Sequence, residues 1–314
     1  MIVDSIKKGL LSGLNTTWSL GKVIFPVTLI VTVLQYTPVL PWIINLIAPL
    51  MNLIGLPGDA AIPLVLGNFL NLYAGIAGIL TLDLTVKEVF IIAMMLSFSH
   101  NLLIESGVAM KTGVKLWIIL TVRIGLAFLS AVVINLVWQG GSEMAQGMAN
   151  GGTAELNGAG EILLHGVIQA LSGIAHLAVI VIPLMVVVQI MKDLKWLEAF
   201  SNALAPFMKV LGMKPNASMP FVTGLTLGLA YGAGVMIQAA KEDNVSKKDM
   251  TIAFIFLVAC HAVVEDTLIF IPLGIPVLPL LLIRLLTAVV LTMVVAYIWN
   301  RTDSVQRKEA VYEQ

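Results

Sequence analysis

The chain repeats itself, and any fold it adopts must be one that can be built twice. At a fixed offset of 157, Asn45 matches Asn202, Ala48 matches Ala205, and Pro49, Met51 and Gly55 match Pro206, Met208 and Gly212. Ala60, Pro63, Val65, Gly67, Leu70, Leu72 and Gly75 then match Ala217, Pro220, Val222, Gly224, Leu227, Leu229 and Gly232. Twelve of the 31 positions from 45 to 75 are identical, where a sequence this biased would give about three by chance. Beyond a short insertion near AKEDNVS the offset becomes 161. It then pairs Lys87 with Lys248, His100 with His261, Glu105 with Asp266, Arg123 with Arg284 and Trp138 with Trp299. The chain is two homologous halves.

What each half is made of follows from polarity. Apolar residues make up 59% of the sequence and charged ones 11%, and the mean hydropathy is +0.97, which belongs to an integral membrane protein. Apolar windows on the order of 20 residues, enough to cross a bilayer, fall near 22–38, 88–110, 116–138, 173–191, 249–271 and 278–299. The stretch ahead of them, 1–17, reads as an amphipathic segment with no small-residue cleavage site. A single cysteine, Cys260, excludes an internal disulfide, and a net charge of zero gives no reason to expect nucleic acid as a partner.

Both halves order their parts alike: a span, an amphipathic segment (LPWIINLIAPLMNLIG or WLEAFSNALAPFMKVLG), a glycine-rich piece, then two spans. The glycine-rich pieces, IPLVLGNFLNLYAGIAGIL and MPFVTGLTLGLAYGAGVMI, carry Gly67 and Gly75 or Gly224 and Gly232 among polar Asn68, Asn71 and Tyr73 or Thr223, Thr226 and Tyr231. Backbone interrupted this way survives at membrane depth only where protein or a wet cavity satisfies its freed groups, so each is expected to be a re-entrant helical hairpin. Three crossings per half is an odd number, which inverts one half relative to the other. Charge agrees. With the N-terminus in the cytoplasm, all 18 Lys and Arg except Lys87 and the intramembrane Arg123 and Arg284 fall inside, as the positive-inside rule asks. The expected fold is an all-α integral membrane protein: an inverted-repeat bundle of three transmembrane helices, one interfacial helix and one re-entrant hairpin per half. Its segments are 1–17 (amphipathic), 18–138 (first repeat), 139–165 (external acidic linker), 166–300 (second repeat) and 301–314 (cytoplasmic tail).

Ionisable groups at membrane depth cost about 2.5 to 3.5 kcal/mol each on insertion scales and usually pair or line a solute path. HNLLIESG places His100, Asn101 and Glu105 there, and HAVVEDTL places His261, Glu265 and Asp266. On a helix, His261 and Glu265 are four apart and within reach, whereas His100 and Glu105 share a face only loosely. Arg123 and Arg284 are either counter-charges to a solute or neutralisers of these acids. His165 and His176 read as interfacial, and Cys260 as a small apolar residue. No familiar catalytic motif is present, so no enzyme is expected.

The blocks APLMNLIGLPGDAAIPLVLGNFLNLYAGIAGIL and APFMKVLGMKPNASMPFVTGLTLGLAYGAGVMI resemble the Gate, or nucleoside-recognition, domain of concentrative nucleoside transporters, ferrous-iron transporter B membrane domains and spore maturation proteins. The resemblance covers about residues 18 to 300. It implies hairpins meeting near the midplane, with tips at Gly67–Gly75 and Gly224–Gly232, beside partly unwound helices carrying His100–Glu105 and His261–Asp266. The Gln-Thr and Glu signature of nucleoside carriers is absent from the first hairpin, as are the hairpin cysteines of the iron transporters.

These features lead to a secondary transporter for a small polar or anionic solute. It would sit in a bacterial-type cytoplasmic membrane with both termini inside, binding solute through the polar residues named above. The expected partners are that solute and the bilayer, with a homo-oligomer allowed. No cofactor or metal is expected, and a coupling proton or sodium ion would be the only accessory species. The alternative is a non-transporting assembly or maturation factor that uses the same scaffold to bind a partner or lipid.

Overall fold

The computed structural model describes residues 2–145, 158–241 and 245–312. Among the described residues the chain is helical, with one isolated antiparallel bridge between Thr85 and Met144. In chain order the helices are α1 (Ile2–Gln35), α2 (Val39–Leu53), α3 (Ala61–Phe69), α4 (Leu72–Ile79), α5 (Val86–Ser99), α6 (Leu102–Lys111) and α7 (Leu116–Val137). The second half supplies α8 (Ala159–Asp193), α9 (Trp196–Leu204), α10 (Ser218–Tyr231), α11 (Ala233–Lys241), α12 (Lys247–Ala259), α13 (Glu265–Leu268) and α14 (Val277–Tyr312). Three stretches among the described residues are long and apolar enough to cross a membrane: Val86–Lys111, Leu116–Val137 and Val277–Thr302.

Some ends extend past the windows drawn from hydropathy. The amphipathic segment at 1–17 runs directly on into the first expected span, as one helix α1 of 34 residues. Likewise α14 carries the C-terminal tail in helix to Tyr312. The acidic linker already turns helical at Ala159, and its residues 146–157 lie outside the described residues, as do 242–244 of the AKEDNVS loop.

The chain resolves into two compact units that cut across the sequence halves. One comprises Met1–Leu103, Ile124–Leu194 and Glu265–Leu280; the other comprises Ile104–Arg123, Lys195–Val264 and Leu281–Gln314. The chain changes unit after Leu103 and after Val264, which are equivalent positions of the repeat.

In the first unit α1 and α8 pack antiparallel along their lengths. Gly9 faces Val186, Gly13 faces Ile182, Gly21 faces Ile174, and Gly166 faces Leu29, so numbers rise on one helix as they fall on the other. A Cβ on Gly9 would lie 2.5 Å from Val186 Cα, and one on Gly13 2.8 Å from Ile182 Cα. Only glycine lets the two backbones approach so closely, the small-residue packing that membrane helices use in place of a hydrophobic driving force. Helices α1 and α8 occupy equivalent places in the two halves, and they run in opposite directions.

The same unit holds the first hairpin. Segment Ile44–Leu53 of α2 meets Gly58–Phe69 at 89°. The turn between them is closed by Leu56 N–H donating to Met51 O at 3.0 Å around Gly55, whose φ is +75°, a Schellman-type stop that needs glycine's left-handed freedom. Gly212, its equivalent, repeats the motif at φ +79° with Met213 N–H on Met208 O at 2.9 Å. Helix α2 turns Trp42, Leu46, Leu50 and Leu53 outward, an apolar stripe suited to lipid contact. Helices α3 and α4, of nine and eight residues, are each only about 12 to 14 Å long. Neither can cross a bilayer core of about 30 Å.

In the second unit α10 and α11 pack together. The break inside α10 falls at Gly228, with φ 82° and ψ 173°, and Gly228 is the equivalent of Asn71 at the turn of the first hairpin. Asn71 solves the same problem differently: its side chain caps α4 by accepting from Ala74 N–H at 2.9 Å.

Candidate functional site

Both helices next to the hairpins come apart just after a buried segment, and at the same place in the repeat. Helix α5 ends at Ser99 and α6 begins at Leu102; between them His100 is extended (ψ 157°) and Asn101 has φ +52°. Helix α12 ends at Ala259 and α13 begins at Glu265; between them Cys260 is extended (ψ 91°) and Ala262 has φ +41°. Asn101 and Ala262 are counterparts in the repeat, and with Lys195 they are the described non-glycine residues at positive φ. Asparagine tolerates that region; alanine is strained there.

The freed amides find their partners on the hairpins. In the first unit Asn101 N–H donates to Gly67 O at 2.8 Å. In the second, Ala262 N–H donates to Gly224 O at 3.1 Å and Val263 N–H to Leu225 O at 2.9 Å. Unwound helix and interrupted hairpin thus satisfy each other's backbone, the condition for irregular chain at membrane depth.

The histidines are held alike. His100 Nδ1 lies 2.7 Å from Leu96 O, and His261 Nδ1 lies 2.7 Å from Leu257 O. A carbonyl only accepts, so Nδ1 carries the hydrogen in both rings and Nε2 is left for other partners. In the second unit Glu105 Oε1 is 3.3 Å from His261 Nε2, and Glu105 Oε2 is 2.8 Å from Arg123 Nη2. Arg284 Nη2 donates to the His261 carbonyl at 2.8 Å. Both arginines are 0% exposed. With Nδ1–H committed to Leu257, a hydrogen bond from His261 to Glu105 needs a second proton, carried either on the imidazole or on the carboxyl. In the first unit Tyr73 Oη donates to Glu265 Oε1, and the ligating atoms of His100 and Asp266 lie within 4.8 Å of each other.

Each unit therefore brings the histidine of one half to an acid of the other: His261 to Glu105, and His100 to Asp266. The backbone between His261 and Glu265 is not helical, so helical spacing no longer sets their relation, and Glu265 accepts from Tyr73. The loose face expected for His100 and Glu105 is broken at Asn101 in the same way.

Hairpin residues fare unevenly. Asn68 donates to Leu64 O at 2.7 Å, Thr223 to Met219 O at 2.8 Å and Thr226 to Val222 O at 2.7 Å, so these groups serve their own helix. Tyr231, by contrast with the buried Tyr73, is 62% exposed. The position equivalent to Tyr73 is Ala230, so the second tyrosine is rotated off the matching face. Gly75 lies against Gly67, and Gly232 against Gly228. Two residues outside the expected set, Ser106 and Thr267, directly follow the acids and are both buried; the second offset of the repeat is enough to pair them.

The strain at Ala262 gives a direct test. Ala262→Gly should leave thermal stability unchanged or slightly raised, since relief of the left-handed strain offsets glycine's added chain entropy. Ala262→Val, β-branched at positive φ, should lose about 1 to 3 kcal/mol. Equal melting temperatures for the two variants in detergent would mean that the unwound geometry is not held.

Comparison with known proteins fits this geometry. Residues 17–116 and 174–281 match the family model described as Gate, nucleoside recognition, and the starts of the two matches stand in the first register of the repeat. The Bacillus subtilis (strain 168) protein described as the uncharacterized membrane protein YvoD is 63% identical over 305 residues, covering 96% of this chain and 98% of that one. No solved structure matches the chain.

Proposed function

Since the chain belongs to the Gate, nucleoside-recognition family of membrane proteins, we propose that it is a secondary transporter of a small polar solute, bound at hairpin tips and unwound helix segments. The observation that carries this reading is the doubled break: two helices unwound at equivalent residues, each donating its freed amide to the carbonyl of a hairpin glycine. Discontinuous helices of this kind offer backbone dipoles to a solute and to a coupling ion. A fold that only had to be stable would gain nothing from strain at Ala262.

The antiparallel run of α1 against α8 supports inversion of the two halves. Short hairpin limbs support re-entrant loops over crossings. The charge distribution supports cytoplasmic termini in a bacterial-type plasma membrane. A proton or a sodium ion is the coupling ion of this reading. The reading includes no enzymatic step, and its partners are the solute and the lipid bilayer, with a homo-oligomer allowed.

The test is thermal shift and proteoliposome uptake over nucleosides, amino acids, amines, organic acids and metal salts. At least one solute should both raise the melting temperature and accumulate under an imposed proton gradient. Binding with no uptake into sealed vesicles would overturn the transport reading in favour of a non-transporting assembly factor.

A further inference from the structure

Five buried hydroxyls among the described residues have no hydrogen-bond partner: Thr17, Ser97, Ser106, Thr267 and Thr292. Their isolation is unusual in this molecule. Ser99, Thr223, Thr226 and Thr251 each donate to the carbonyl four residues back, at 2.7 to 2.8 Å, the usual way a hydroxyl is satisfied inside a helix. The counterparts of Thr17, Ser97 and Thr292 in the other half are Ile174, Val258 and Ala131, so those three positions have no need of a hydroxyl in general. Ser106 and Thr267 differ. They are each other's counterparts in the repeat, 3% and 6% exposed, and each directly follows the acid of its half, Glu105 or Asp266.

Leaving a buried hydroxyl without a partner is destabilising, and isosteric valine or alanine would relieve it. Keeping one twice, at the same place in two halves whose sequences have otherwise drifted far apart, points to a partner that comes and goes. We propose that the Ser106 and Thr267 hydroxyls are solute-binding groups, each within its own compact unit, and that a solute presents O–H or N–H donors to the hydroxyl and to the acid that precedes it. This rests on the transport reading above and narrows its substrate class. Carboxylate oxygens only accept when ionised, whereas a hydroxyl both donates and accepts. An acid followed by a hydroxyl therefore offers acceptors that favour solutes with hydroxyl or amino hydrogens over acceptor-only anions. Both hydroxyls are sealed from water in this state, so a solute reaches them only when the walls open, as alternating access provides.

Ser106→Ala and Thr267→Val, singly and together, separate this from an incidental packing defect. In detergent without added solute, each variant should melt higher than wild type, because a binding group held without a partner is removed. Panel solutes bearing O–H or N–H donors that raise the wild-type melting temperature should shift the double variant at least tenfold less at equal concentration. Acetate and sulfate should shift neither. Thr292→Val serves as control: it should also melt higher yet keep the full solute response. Lower melting temperatures for both Ser106→Ala and Thr267→Val would show that the hydroxyls are bonded and would overturn the proposal, as would an undiminished solute response. If no solute shifts wild type, the transport reading fails, and with it the role proposed here, even where the variants melt higher.

Discussion

Glu105→Gln should be among the most destabilising single changes in the chain. Glutamine keeps the shape of the side chain and removes the charge that faces Arg123 at 2.8 Å and His261 at 3.3 Å. Arg123 is wholly buried, and taking the carboxylate from a buried pair typically costs about 3 to 5 kcal/mol, because the remaining charge has been desolvated without its counter-charge. Thermal melting in a single detergent should show the loss, and Glu105→Gln with Arg123→Met should recover most of it, since an apolar pair of similar volume is often as stable as the ion pair it replaces. Glu265→Gln makes the contrast. An amide oxygen still accepts from Tyr73 Oη, so stability should be nearly kept, while proton-driven uptake should fall if Glu265 titrates during turnover. On this expectation the two acids divide the roles that sequence alone leaves open: loss of Glu105 is felt in stability, as the partner of Arg123, and loss of Glu265 in uptake. A Glu105→Gln protein of wild-type stability that has lost uptake would reverse that division.

The parts of the fold legible in the sequence are those set by short-range rules. Glycine and proline mark the hairpins, hydropathy marks α5 to α7 and α14, and the two offsets of the repeat carry the duplication down to the unwound pair Asn101 and Ala262. The partnerships inside the site are not legible, for one physical reason. Helical spacing in HNLLIESG and HAVVEDTL predicts neighbours only where the backbone is helical, and His100, Asn101, Cys260 and Ala262 are where it stops. Past the break a side chain's neighbours depend on long-range packing, which joins His261 of the second half to Glu105 of the first. The two tyrosines differ for a related reason. Similar composition in the two glycine-rich pieces suggests equivalence, but a one-residue slip from Tyr73 turns a helical side chain about 100°, and Tyr231 is exposed where Tyr73 is buried. The length of α8 is likewise hidden, because its start at Ala159 lies in a stretch that reads as linker.

Gly75→Leu is expected to destroy the first hairpin, and the reason lies in what surrounds the missing side chain. A Cβ there would meet Leu96 Cδ1 at 2.7 Å, Gly67 Cα at 3.1 Å and the Pro63 carbonyl at 3.2 Å. Leu96 can shift its methyl, but the other two are backbone of α3 in direct contact with α4, and neither can withdraw without opening the hairpin. Overpacking a closed site costs about 1 to 3 kcal/mol where side chains can yield, and a leucine set against backbone should exceed that range. Loss of the hairpin also removes the Gly67 carbonyl from Asn101 N–H, so the unwound segment beside His100 loses its partner as well. Gly224→Ala calibrates the effect. Its Cβ would meet only the ends of flexible side chains, Met236 Cε at 2.4 Å and Leu257 Cδ1 at 2.5 Å, which can rotate aside. Gly232→Ala should fall between them, since it would stand 2.7 Å from the Gly228 carbonyl. Melting temperatures measured on the three variants should therefore order as Gly224→Ala highest, Gly232→Ala lower, and Gly75→Leu lowest or unfolded. A Gly75→Leu protein that melts with Gly224→Ala and still binds solute would show that α3 and α4 are not packed backbone to backbone, and the hairpin would have to be given up.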